Sequence, residues 1–137
     1  MYRKILLWGI GFALTAVLLG AFGAHALKSI LSSDKLQSFE TGVRYQFIHA
    51  LALILLALYH HQNASNFNLN KGIGFAAHFF IVGSFLFCGS IYGLAFLSLT
   101  DSKWSMVLGP ITPLGGLSFM LGWANWARVV WMNKADL

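Results

Sequence analysis

Charge is what this chain has least of. Asp, Glu, Lys and Arg together make up 9% of its 137 residues, against about a quarter in an ordinary soluble domain. Only four residues are acidic. Asp34, Asp101 and Asp136 fall in polar segments, so acid–base chemistry within an apolar interior has no obvious carboxylate except Glu40. Cys88 is the single cysteine and lies inside an apolar run, which excludes an internal disulfide and a thiolate cluster for a metal. There is no Gly-rich phosphate loop, no HExxH, no GxSxG and no paired carboxylates. The usual frameworks of an enzyme are therefore missing, and none is expected. No cofactor is implied.

What remains is apolar. Hydrophobic residues make up 58% of the chain and mean hydropathy is +0.70, which predicts an integral membrane protein. Spans of about 20 residues fit four times into one compact domain covering residues 1–137. A formal charge of +5 would suggest nucleic acid in a soluble protein. Here the basic residues collect at span ends, where they read as topology signals and contacts to anionic lipid, and no nucleic-acid partner is expected.

The first span covers about residues 5–27, after a basic lead at Arg3 and Lys4. A signal peptide is the rival reading, because Ala24-His25-Ala26 imitates a cleavage site, but the apolar run is long for one. Ala13, Ala16, Gly20 and Gly23 or Ala24 form a small-residue stripe that would let another helix approach closely. Asp34 with Gln37 suggests an N-cap and its partner, so a short amphipathic interfacial helix, Lys35 to Thr41, is predicted to run on into span two at about 43–58. Leu36, Phe39 and Val43 mark its buried side; Gln37, Glu40 and Arg44 mark its polar one.

The polar segment His60 to Lys71 turns the chain at the opposite face and includes an Asn63-Ala64-Ser65 sequon. Span three covers about 73–99 and contains Gly89 and Gly93 at the GxxxG spacing of close helix contacts. After a polar turn from Thr100 to Trp104, Met106 to Gly116 holds both prolines and reads as irregular backbone. Thr112 and Pro113 suit the N-cap and first position of span four, about 113–131. Arg3, Lys4, Lys71, Arg128 and Lys134 on the side of the termini outnumber Lys28, Lys35, Arg44 and Lys103 on the other, which leans towards both termini inside.

With four antiparallel spans, the end of span one, the start of span two, the end of span three and the start of span four share one membrane face. Glu40 and Arg44 stand four apart and can pair. Tyr45, Gln46 and His49 carry polar groups deeper, and His25, Lys28, Ser90, Tyr92 and Thr112 come from the other spans. Arg44 is either structural, pairing with Glu40 or snorkelling, or it is the charge of a headgroup or anion site. In the second case the N–H groups of Leu114, Gly115 and Gly116 would point at the same place. His49 is either a hydrogen-bonded core residue or a proton-relay member. His60, His61 and His78 lie towards the other face without a carboxylate or cysteine nearby, so no metal site is expected.

Four ordered motifs carry a resemblance. They are Gly20-Ala21-Phe22-Gly23-Ala24-His25-Ala26-Leu27-Lys28; Phe39 with Thr41-Gly42-Val43-Arg44-Tyr45-Gln46 and His49-Ala50-Leu51; Gly89-Ser90 with Tyr92; and Gly109-Pro110-Ile111-Thr112-Pro113-Leu114-Gly115-Gly116. Together they resemble the YgdD/YwdK-type family of small multi-pass membrane proteins of bacteria, with eukaryotic relatives. The resemblance implies a four-helix protein, in the inner membrane if the source is bacterial, with no established activity and no catalytic residue to carry over.

The expectation is an all-α, four-helix transmembrane bundle of non-enzymatic function. Its Arg44-centred end would bind a lipid headgroup, an anion or a partner protein. The alternative is a small-solute or proton-coupled carrier using Glu40, Arg44 and His49. Membrane lipids are the expected partners, with a homo-oligomer or another membrane protein as further possibilities.

Overall fold

Long apolar runs without a breaker become helices that can cross about 30 Å of hydrocarbon. The computed structural model describes residues 1–63, 67–100 and 105–132. Six α-helices occur among them: α1 Tyr2–His25, α2 Ser33–Gln62, α3 Phe67–Gly83, α4 Gly89–Leu97, α5 Ser105–Leu108 and α6 Ile111–Met132. A 3-10 turn at Leu27–Ser29 follows α1, and a π-helical turn at Ser84–Cys88 joins α3 to α4. Four stretches are long and apolar enough to span a membrane: Tyr2–Ser29, Ser33–Gln62, Asn68–Leu97 and Met106–Met132. This is the all-helical, four-span architecture that hydropathy predicts.

The longest helix, α2, packs on α1, α3 and α4, while α6 packs mainly on α3 and the π turn. Small residues set the close approaches. On α1, Gly9, Ala16 and Gly23 are buried. A Cβ on Gly9 would lie 2.8 Å from Ile54 Cγ1, and one on Gly23 would lie 3.0 Å from Phe39. The stripe read from the sequence therefore faces α2 and begins a turn earlier than predicted. On the other side of the bundle Gly83 meets the Phe119 ring and Gly122 meets Phe80. The core between these seams includes Leu53, Leu56, Ile73, Ala76 and Phe80.

Several local expectations are corrected. Ser32, in extended conformation, precedes the first turn of α2 in place of Asp34, which lies inside that turn. The amphipathic segment does run on into span two, as the opening of α2, with Phe39 buried and Gln37, Glu40 and Arg44 exposed as expected. The helix of span four, α6, starts at Ile111, two residues before Pro113, so Thr112 is not its N-cap. The segment before it is not wholly irregular, because α5 forms one helical turn ahead of Gly109. The Gly89/Gly93 spacing makes no helix seam. Gly89 faces open space and Gly93 meets Leu108, a residue of α5. The turn after Thr100, the Ala64 and Ser65 positions of the sequon, and Asp101, Lys103, Lys134 and Asp136 lie outside the described residues.

The π turn has a local cause. Ser84 Oγ donates to Phe80 O at 2.8 Å, competing for a carbonyl of the regular ladder. Gly89 N–H reaches back to Ser84 O, five residues away. The backbone of Phe87 then lies against Gly115, where an added Cβ would sit 2.6 Å from Phe87 Cα. Only a glycine lets α6 come this near.

Candidate functional site

The polar residues singled out in the sequence divide into an interior set and an outer set. Gln46 and His49 are 5% and 3% exposed, and at such depth each polar atom needs a partner. Gln46 Nε2 donates to Phe12 O at 3.0 Å and Thr15 Oγ1 at 2.7 Å, while Tyr92 OH donates to Gln46 Oε1 at 2.8 Å. One amide thereby ties α2 to α1 and α4.

One turn deeper, His49 is closed on both ring nitrogens. Trp123 Nε1, which can only donate, lies 3.2 Å from His49 Nε2, so that nitrogen accepts. Nδ1 then carries the proton and donates to Tyr45 O at 2.8 Å. The neutral Nδ1–H tautomer satisfies every contact, and the ring stacks on Phe119 at 3.5 Å between centroids. Phe80 and Trp123 complete the surroundings. No carboxylate is among these neighbours, so His49 has no proton-relay partner here.

Ser90 and Thr112 share a hydrogen bond of 2.7 Å, which ties α4 to α6. Because α6 begins at Ile111, the N–H groups of Gly115 and Gly116 fall within its i to i−4 ladder. The anion nest expected from them is not formed. Gly115 serves instead as the contact point for Phe87.

The outer set lies at the predicted common face. His25 closes α1, Lys28 sits in the 3-10 turn, and both are exposed, as are Glu40, Arg44 and Tyr45. Glu40 and Arg44 share the helix spacing but, among the described residues, no ion pair joins them. Tyr45 keeps its ring against Phe87 at 4.9 Å.

At this same end a groove of about 310 Å³ opens between α2, α4 and the start of α6. Lys35, Ser38, Thr41 and Thr112 supply its polar wall, and Ile91, Leu94 and Ala95 its apolar one. Arg44 follows Thr41 by three residues and so lies one turn deeper on an adjoining stripe. Sequence reasoning missed Lys35, Ser38 and Thr41 as lining residues, although their i, i+3, i+6 spacing on an interfacial helix was a readable signal. It also missed Thr15 and Trp123, whose roles depend on which helix lies opposite.

Fold and site together define a four-span helical membrane protein in which the buried Gln46, His49 and Ser90 are spent on helix-to-helix bonds and the charged residues described lie at the bundle ends. The chain belongs to the family described as a protein of unknown function, DUF423, whose model matches residues 19–116. Among its relatives is a UPF0382 membrane protein of Haemophilus influenzae, 37% identical over 119 residues, 87% of this chain and 86% of the relative. YwdK of Bacillus subtilis, also named a UPF0382 membrane protein, is 40% identical over 111 residues, 81% of this chain and 82% of the relative. YgdD of Escherichia coli K12, named an inner membrane protein, is 37% identical over 108 residues, 79% and 74% of the two chains. No solved structure matches this chain. For a bacterial source, the multi-pass fold and these relatives place it in the inner membrane.

Proposed function

We propose that the protein acts without catalysing a reaction, by holding an anionic lipid headgroup at the face where span two begins. The observation that carries this reading is the groove lined by Lys35, Ser38, Thr41 and Thr112 above an apolar wall of Ile91, Leu94 and Ala95. The Lys35 ammonium suits a phosphate and the apolar wall suits the start of an acyl chain, while the Ser38 and Thr41 hydroxyls, which donate to Asp34 O and Gln37 O of their own helix, supply only a polar lining. Arg44 contributes from one turn below, where a long side chain can lift its guanidinium to the headgroup level.

The carrier alternative needs a wetted polar route from Arg44 to His61. Gln46 and His49, the polar groups along the way, are engaged between helices, and the surroundings of His49 are aromatic. A lipid-modifying enzyme would need a second acid or nucleophile beside His49, and its ring neighbours Phe80, Phe119 and Trp123 provide none.

Native mass spectrometry on detergent-purified protein tests the proposal. Lys35→Gln with Arg44→Ala is expected to release anionic lipid that the parent chain retains, with helicity unchanged. Equal lipid retention by variant and parent would refute it. The same spectra count subunits and so report whether copies of the chain assemble.

A further inference from the structure

At the opposite end of the bundle a larger cleft, about 600 Å³, opens between the first turns of α3 and the last turns of α6. Lys71 and Arg128 line it from the two sides, and Phe75, Val129 and Met132 form its apolar wall. We propose that this cleft is a second, separate site for an anionic phospholipid, with the phosphate between Lys71 and Arg128 and an acyl chain along the apolar wall.

The two cations are brought together by the tightest part of the α3/α6 seam. Gly72 packs directly under Val129, where any Cβ would collide with the valine. Asn125 Nδ2 donates to Gly72 O at 2.7 Å, fixing the two helices at this level. Asn125 Oδ1 in turn accepts from Arg128 Nη2 at 3.4 Å, which steadies the guanidinium beside the cleft. Lys71 and Arg128 are thus held on facing helices by contacts that do not neutralise them. No ion pair to either occurs among the described residues, and the acids Asp34 and Glu40 belong to the other end of α2.

Two like charges that line one cleft repel, and an anion between them relieves the repulsion. The first turn of α3, with Asn68 on the cleft wall, adds the positive end of a helix dipole. The apolar wall favours a lipid over free phosphate, because Phe75 and Met132 are exposed large side chains that an acyl chain would cover. Arg3 and Lys4 lie on the same face, and the balance of basic residues leans towards this face being cytoplasmic, where anionic lipid gathers.

The test is native mass spectrometry of the full detergent-purified chain titrated with phosphatidylglycerol and, separately, with phosphatidylcholine. The chain is expected to retain phosphatidylglycerol preferentially. Lys71→Gln combined with Arg128→Gln should lose one bound phosphatidylglycerol per chain, with affinity at that site falling roughly tenfold or more. Lys71→Arg and Arg128→Lys, which keep the charge, should retain it.

The Lys35→Gln/Arg44→Ala pair should leave this lipid in place, so failure of one site is read separately from failure of the other. Equal retention of the two lipids, or no loss in the Lys71/Arg128 double variant, overturns the proposal. Displacement by inorganic phosphate at concentrations comparable with the lipid overturns it too, in favour of a free-phosphate site. Asp136→Asn should change nothing. A gain in lipid binding from that change would mean that the chain's own tail occupies the cleft, which also overturns the proposal.

Discussion

Replacing single glycines by alanine probes whether α6 really rests on the π turn. In a helix the change itself favours folding by about 0.5–1 kcal/mol, because glycine loses more backbone freedom. Surroundings decide the rest. At Gly115 the new Cβ would lie 2.6 Å from Phe87 Cα and 2.7 Å from Phe87 Cβ. The Phe87 backbone belongs to the π turn and has no rotamer that could swing aside, so α6 would have to move away as a unit. That movement loosens Phe119 over Gly83 and Gly122 against Phe80, both in the same seam. Overpacking of this kind costs about 1–3 kcal/mol, occasionally more, and outweighs the helix gain. At Gly116 the nearest atoms are Phe87 ring carbons at 3.8 and 3.9 Å, an ordinary contact, and at Gly89 nothing lies within 4 Å. Gly115→Ala should therefore lose about 1–2 kcal/mol while Gly89→Ala gains about 0.5–1. Their melting temperatures in detergent, followed by circular dichroism, should differ by roughly 5–10 °C, with Gly116→Ala between them. If Gly115→Ala melts at or above the parent, α6 does not lie against Phe87 and the packing described here is wrong.

Three further outcomes are expected. Tyr92→Phe leaves Gln46 Oε1 without its donor, and it should cost about 1 kcal/mol, in line with interhelical hydrogen bonds in membranes. A double-mutant cycle with Gln46→Leu should return a coupling of about 0.5–1.5 kcal/mol, whereas strict additivity would deny the bond. His49→Phe keeps the stack on Phe119 and loses only the Trp123 and Tyr45 contacts, so in thermal melts it should be milder than His49→Ala, which also opens a cavity worth about 2–4 kcal/mol. Arg44→Ala and Glu40→Gln should each shift stability by less than about 0.5 kcal/mol, because both side chains are exposed and unjoined. A larger loss in thermal unfolding would mark Arg44 as a structural residue.

Those features that depend on a helix's own length and polarity were legible in the sequence. Four apolar runs sufficed to find four spans, and Phe39 against Glu40 and Arg44 sufficed to orient the start of α2. What could not be read was which neighbour each face meets. Gly89 and Gly93 have the spacing of a packing motif, yet Gly89 points outward, while the close contacts fall to Gly72 and Gly83 of α3, which meet Val129 and Phe119, and to Gly115 and Gly122 of α6, which lie on one helix face and meet Phe87 and Phe80. Spacing marks a face but not what lies against it, and the π turn, by rotating α4 relative to a straight continuation of α3, sets which way Gly89 and Gly93 point. The same limit applies to Thr112, whose position before Pro113 suits a cap. Its hydroxyl instead faces Ser90, a bond that can be inferred only when α4 is known to be alongside.

The interior bonds also explain why the charged residues matter at the ends and not in the middle. Gln46 with Thr15 and Tyr92 fixes α1, α2 and α4 at one depth; His49 with Trp123 fixes α2 to α6 a turn deeper; Ser90 with Thr112 fixes α4 to α6. In hydrocarbon each such bond is worth little more than it is in water, about 0.6 kcal/mol on average, so the set adds only modestly to stability. Its stronger effect is on register, since sliding one helix by a turn would leave several buried polar groups without partners. The groove holding Lys35 and Thr41 is bounded by α2, α4 and α6, the three helices that these bonds align. The Lys71/Arg128 cleft, beyond their reach, has its own fastening in Asn125 and Gly72. Each end is thus held in shape by polar contacts that carry no charge, which leaves the cations at both ends available to an anionic surface.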